Sequence, residues 1–169
     1  YFGGWSNSSK KYQNLVLNYG NDGLLISAHS RGSLTVGNGM RDFEKHGIHG
    51  IAKKTDIYLF GPAYNAQDMA NTLNYVSDGE KNYVYIQGHV FDPISTVFGY
   101  NWPTAYKVPL KFPYLLFPLA IPMIEQGKAL GGYDPSPHNC YGNASSKCTT
   151  NYGSFGFKKL YSTRTGNKK

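Results

Sequence analysis

The sequence predicts an α/β domain, a parallel sheet with flanking helices, and two patterns point there. Short apolar runs bounded by turn residues alternate with helix-patterned segments between residues 6 and 91. The order strand, helix, strand, helix, strand also gives each strand a segment long enough to return the chain for a parallel pairing. The 169 residues suit one domain, 1–169, with a sizeable core. With 40% hydrophobic and 15% aromatic residues, the composition is globular rather than disordered.

Residues 6–19, SNSSKKYQNLVLNY, open on Ser and Asn and place Leu15, Val16 and Tyr19 on one apolar face, so the first element is a helix. Gly20 and the NDG that follows end it. GLLIS, 23–27, has the pattern of a strand buried on both faces. SRGSLTVGNGMRDFEKHG is the next helix, with Leu34, Met40 and Phe43 inward and Gly47 as its stop. Gly37 and Gly39 weaken this helix unless close packing against the sheet requires them. TDIYLFG, 55–61, is a second strand, AQDMANTLNYV a helix, and NYVYIQGHVF, 82–91, a third strand ending at DPIS. Beyond Pro93 the alternation fails. VPLKFPYLLFPLAIPMIEQG has four prolines among bulky apolar residues, which suits neither a central strand nor a long helix. A late strand is expected around YGSFGFKKLY, and the tail from about 158 is expected to be flexible.

The net charge of +7 and a pI of about 9.3 favour an anionic partner, nucleic acid or a phospholipid surface. Lys158, Lys159, Arg164, Lys168 and Lys169 gather in the tail, where a solvated, disordered basic end is the simpler explanation. No apolar run is long enough to cross a bilayer. The start at Tyr1, without Met, suggests a piece of a longer polypeptide. Cys140 and Cys148 either form a local disulfide in an oxidising compartment or remain two thiols in the cytosol. Two cysteines without a CxxC make a poor zinc site, so no metal and no cofactor is expected.

Ala28-His29-Ser30-Arg31-Gly32 carries the chemistry. A serine on a tight strand-to-helix turn stands clear of the sheet and faces the positive end of the next helix. The pattern is the G-x-S-x-G nucleophile elbow with Ala in the first Gly position; the bland alternative is a serine that caps the helix. A serine nucleophile needs a base, and the base needs an orienting carboxylate. Asp92 leaves the third strand at the same edge, where Pro93 stops the strand, although a carboxylate there also suits a turn cap. Among five histidines, His138 comes late enough in the chain and lies on a loop beside Cys140, with Asp134 as a rival acid. His29 should point away from the serine, His46 and His49 lie at the wrong end of a helix, and His89 falls inside a strand. Oxyanion donors are expected from the backbone N–H of Arg31 and from Gly3 or Gly4, the only glycine-rich stretch before the elbow.

SAHSRGSLTVGN, LFGPAYNAQ, HVFDPISTVFGYN and HNCYGN together resemble the lipase-like C-terminal toxin domains of filamentous-haemagglutinin-type exoproteins of contact-dependent inhibition and related two-partner systems. More distantly, the order is similar to class 3 lipases. The resemblance covers roughly residues 15–145 and implies a minimal or partial α/β-hydrolase-like sheet, a Ser30–Asp92–His138 triad and ester hydrolysis, with lipid as the substrate class. It also implies a secreted or surface-borne protein delivered into a target bacterium, an upstream part of the same polypeptide, and a cognate immunity protein as partner. Ala28, Arg31 in place of a lipase Leu, and the missing upstream strands depart from the pattern. Pro109–Met123 is either a lid that dips into a membrane or a Pro-broken crossover on the core. The rival functions are a soluble-ester carboxylesterase, a basic nucleic-acid-binding or nuclease toxin using tyrosine stacking, and a non-catalytic adhesin module.

Overall fold

The computed structural model describes residues 7–107, 137–142 and 152–164. Helix α1 (Asn7–Tyr19) leads into strand β1 (Leu25–His29), followed by α2 (Gly32–Lys45), β2 (Asp56–Phe60), α3 (Ala66–Val76) and β3 (Tyr83–Gln87). A π-helical turn (Ile94–Phe98), a 3-10 turn (Pro137–Asn139) and β4 (Lys158–Tyr161) complete the described chain. The four strands form one sheet in the order β1-β2-β3-β4. β1, β2 and β3 run parallel, with Ala28 beside Leu59 and Leu59 beside Ile86, while β4 runs antiparallel to β3. The fold is therefore α/β with a mixed sheet, not an all-parallel one. β4 falls within the expected late strand, and Lys158 and Lys159 belong to that strand rather than to a loose tail.

Strand alternation sorts the side chains onto two faces. Ala28, Ile57, Leu59, Val84 and Ile86 are buried beneath the helices, in one cluster with Val16 of α1, Met40 and Phe43 of α2, and Met69 and Leu73 of α3. Each such large side chain taken fully out of water stabilises the fold by roughly 1.5–3 kcal/mol. The opposite face carries Leu25, Ser27, Tyr58, Tyr83, Tyr85, Lys159 and Tyr161, with Tyr58 and Tyr85 stacked at 4.4 Å and Lys159 Nζ 4.5 Å from the Tyr83 ring centre. Among the described residues β1 is thus the edge strand, and it is not buried on both sides: Leu25 is 62% exposed. An apolar run of three looks the same at an edge as in a centre.

Two helix assignments shift in detail. α1 buries Tyr12 and Val16, one helical turn apart, while Leu15 and Tyr19 face solvent. In α2 the room at Gly37 is taken by a neighbouring ring, since a Cβ there would lie 2.4 Å from Tyr64, a residue of the β2–α3 loop rather than of the sheet. α3 begins where Asn65 accepts the Asp68 N–H at 2.9 Å, which satisfies one orphan donor of the first turn.

His89, just after β3, is fully buried. Its Nδ1 accepts the Phe91 N–H at 3.1 Å and its Nε2 donates to the Lys107 carbonyl at 3.1 Å, so the ring is neutral with its proton on Nε2. Burial drives its pKa from 6.5 down to about 4. Between these values the unfolded chain takes up a proton that the fold refuses, so the stabilisation is complete above pH 6.5 and is lost as pH falls toward 4. The loss amounts to about 3 kcal/mol by pH 4. Urea unfolding across pH 7 to 4 should show this slope in the wild type and a slope shallower by about 1.4 kcal/mol per pH unit in His89→Gln; equal slopes would contradict it.

Candidate active site

The loops that leave the C-terminal ends of β1, β2 and β3 meet at one edge of the sheet. Ser30 follows β1 directly and holds φ +51°, a left-handed backbone that a non-glycine residue adopts only under constraint. The constraint is visible in the bonds around it. Its N–H donates to the Phe60 carbonyl at 3.1 Å, and its own carbonyl accepts from Ser33 N (3.1 Å), Ser33 Oγ (2.6 Å) and Ala63 N (3.3 Å). Ser33 Oγ in turn accepts the Tyr64 N–H at 3.0 Å, which ties the start of α2 to the β2–α3 loop. Arg31, not Ser30, is the helix cap, and its side chain makes no cap bond to α2. Among the described residues the Ser30 hydroxyl makes no hydrogen bond, and neither does the Arg31 backbone N–H. The serine is therefore not spent on capping.

Asp92 lies five residues beyond β3, on a loop closed by the parallel bridge His89–Ala105, and its side chain is fully buried. A buried carboxylate is tolerated only when donors surround it. Oδ1 accepts the Ile94 N–H at 2.9 Å and the Ser95 N–H at 3.3 Å, so the turn-cap role is real. The same carboxylate also faces His138 Nδ1, 3.0 Å from each oxygen, and Tyr141 Oη donates to Oδ2 at 2.5 Å. Tyr141 Oη accepts the His89 N–H at 3.0 Å, which completes a chain from backbone amide through phenol to carboxylate to imidazole. Only glycine fits opposite this carboxylate: a Cβ on Gly61, itself at φ +47°, would lie 2.3 Å from the Tyr141 ring and 2.6 Å from Asp92 Oδ2.

His138 sits in the 3-10 turn Pro137–Asn139 and is buried. Two neighbours hold that turn. Gln87 Oε1 accepts the Gly142 N–H at 3.2 Å while its Nε2 donates to the Phe155 carbonyl at 2.7 Å. On the other side, His29 Nε2 lies 2.9 Å from the His138 carbonyl, with the two rings 4.7 Å apart. His29 is the chain neighbour of Ser30, so this contact brings the elbow and the Asp92–His138 pair to the same edge. No hydrogen bond joins Ser30 to His138 among the described residues. An exposed cleft of about 290 Å³ opens beside them, lined by His29, Phe60, Asn139, Tyr141 and Gly142.

Cys140 is disulfide-bonded and fully buried, next to His138 but one. Cys148, the rival acid Asp134, the glycines Gly3 and Gly4, and Pro109–Met123 lie outside the described residues. His46 and His49 are exposed at the far end of α2, where His49 pairs with Asp78 at 2.6 Å. One contributor escapes sequence reasoning, Tyr141, one of fifteen tyrosines; His29 is expected only to turn away from Ser30, and its packing on the His138 turn is not foreseen. The position of Tyr141 three residues after the chosen histidine was the available signal. Among the described residues no group of three metal-binding side chains occurs, and no helix is long and apolar enough to cross a membrane. No known family model, curated protein or solved structure matches the chain.

The phenol of Tyr141 supplies a donor to one buried group and an acceptor to another, so Tyr141→Phe should lower stability by about 1–3 kcal/mol in urea unfolding. An unchanged unfolding midpoint would contradict the network.

Proposed function

We propose that the protein is a serine hydrolase of carboxylic esters, with lipid esters as its leading substrate class. The observation that carries this reading is the pairing of His138 Nδ1 with the buried Asp92 carboxylate at the sheet edge where Ser30 is held in a strained turn. With Nδ1 engaged by the acid, Nε2 is the ring nitrogen that addresses a hydroxyl. Ser30 Oγ attacks the ester carbonyl carbon as His138 Nε2 removes its proton. The Asp92 carboxylate stabilises the imidazolium through Nδ1. The developing oxyanion lies at the positive end of α2, against the Arg31 N–H. Collapse of the tetrahedral intermediate expels the alcohol, which takes the proton from His138, and leaves an acyl group on Ser30. Water, deprotonated by the same nitrogen, then releases the acid.

The full α/β-hydrolase arrangement belongs to this proposal. So does the role of lipase-like toxin, delivered from a surface-borne exoprotein and held in check by an immunity protein. Their support is the order Ser30, Asp92, His138 and the elbow motif. The 290 Å³ cleft beside His138, walled by Phe60 and Tyr141, offers an apolar place for part of an ester. Its size is at the low end of small-molecule sites.

A chromogenic ester and a fluorophosphonate probe test the reading together. Wild type should take one probe label, on Ser30, and Ser30→Ala should take none. Ser30→Ala and His138→Ala should each lower kcat by at least about a thousand-fold, and the double variant should be no worse than either, since the residues act as one unit. Turnover unaffected by Ser30→Ala would refute it.

A further inference from the structure

We infer that the loop carrying Phe98, Tyr100 and Trp102 is a docking surface for an anionic lipid bilayer, which rests on the hydrolase reading only in that it would bring bilayer-resident esters to Ser30. Isolated exposed apolar residues need no explanation. Here five lie within ten residues: Val97, Phe98, Tyr100, Trp102 and Tyr106, with Tyr100 83% and Trp102 84% exposed.

The exposure is built rather than accidental. Asn101, between the two most exposed rings, is buried, and its side chain makes three bonds: Oδ1 accepts Ala66 N–H at 2.7 Å, and Nδ2 donates to the carbonyls of Pro62 (3.1 Å) and Tyr64 (3.0 Å). Asn65 Nδ2 reaches the Gly99 and Tyr100 carbonyls at 3.3 and 3.2 Å. Tyr100 is held at φ +53°, a strained backbone for an aromatic residue. Relaxing that strain is open to a free loop; the anchors forbid it and keep both rings in water. The same β2–α3 loop receives Ser33 and Ser30 through Tyr64 and Ala63, so the aromatic surface is indexed rigidly to the elbow.

Two features select a membrane as the occupant. A surface entering the headgroup–acyl boundary must satisfy its own backbone polar groups. In this loop the N–H groups of Gly99, Asn101, Thr104 and Ala105 donate to Ile94, Ser95 and Gly88 carbonyls, and the Gly99 and Tyr100 carbonyls accept from Asn65. Trp and Tyr are the side chains suited to that boundary, apolar in body and polar at one atom. The charge pattern gives the sign of the lipid. Residues 93–107 contain no Asp or Glu and one Lys, on a chain of net charge +7, so the loop itself presents no carboxylate and negative headgroups meet a net attraction that outweighs the neighbouring Asp68 of α3.

The full chain carrying Ser30→Ala and Trp5→Phe, which cannot turn over lipid and reports through Trp102 alone, is mixed with phosphatidylglycerol–phosphatidylcholine vesicles and with phosphatidylcholine vesicles. The expected result is co-sedimentation with the anionic vesicles, a blue shift of Trp102 emission, and weaker binding as salt rises. Adding Phe98→Ser and Trp102→Ser should lower vesicle partitioning at least ten-fold. In the Ser30 protein the same pair should leave turnover of a soluble short-chain ester unchanged. No binding by the folded protein, or binding indifferent to the Phe98 and Trp102 changes, overturns the inference. Self-association without lipid that these changes abolish also overturns it and assigns the surface to a second copy. Vesicle binding in a protein whose wild type hydrolyses no ester leaves the docking surface standing and removes the hydrolase reading alone.

Discussion

Among the described residues, one buried carboxylate organises the edge of the sheet where β1, β2 and β3 end. Asp92 has no exposed surface, and a carboxylate in that position is unfavourable by several kcal/mol unless donors converge on it. The donors come from three parts of the chain: the backbone of the turn after Pro93, the phenol of Tyr141, and the imidazole of His138. Satisfying the charge therefore draws the residue 137–142 segment onto the end of β3. Gln87 and His29 finish the task by holding that segment from two sides. Gly61 leaves the space in which the phenol and carboxylate meet.

The second constraint is backbone strain at Ser30. A left-handed serine is unfavourable by of order 1–3 kcal/mol and persists only where surrounding bonds overdetermine it. Three donors on one carbonyl do so, two of them from Ser33. Because Ser33 also receives Tyr64, the elbow, the β2–α3 loop and the Asn101-anchored aromatic loop form one connected polar frame. The hydroxyl of Ser30 stays out of that frame. The backbone of Ser30 is fixed while its side chain is not used to start the helix.

Much of this was legible in the residues because elements with clear punctuation announce themselves. α3 was bounded at both ends by Asn65 and Ser77, and its limits match the segment read from the sequence. Ser30 and Asp92 stand out in the sequence because each follows an apolar run, and the structure brings their loops to one edge of the sheet. The edge position of β1 was not legible, since Leu24-Leu25-Ile26 carries no information about what lies on its outer side. The late strand could be read in YGSFGFKKLY, but its antiparallel direction could not, and its Lys pair suits a solvated end as well as a strand exposed on one face. Tyr12, not Leu15, faces the core because the ring spans from α1 to Gly39 of α2, a pairing that no local pattern encodes. Asn101 was illegible for a similar reason: its importance lies in three partners more than thirty residues away.

The central claim is that Ser30, His138 and Asp92 act on one reacting atom. A crystal structure of the protein inactivated by an alkyl phosphonate tests it most directly. The account predicts a bond from Ser30 Oγ to phosphorus, the phosphonyl oxygen about 2.7–3.1 Å from the Arg31 N–H, and His138 Nε2 within hydrogen-bonding reach of the adduct. An unmodified Ser30, or an adduct facing away from His138, would contradict it.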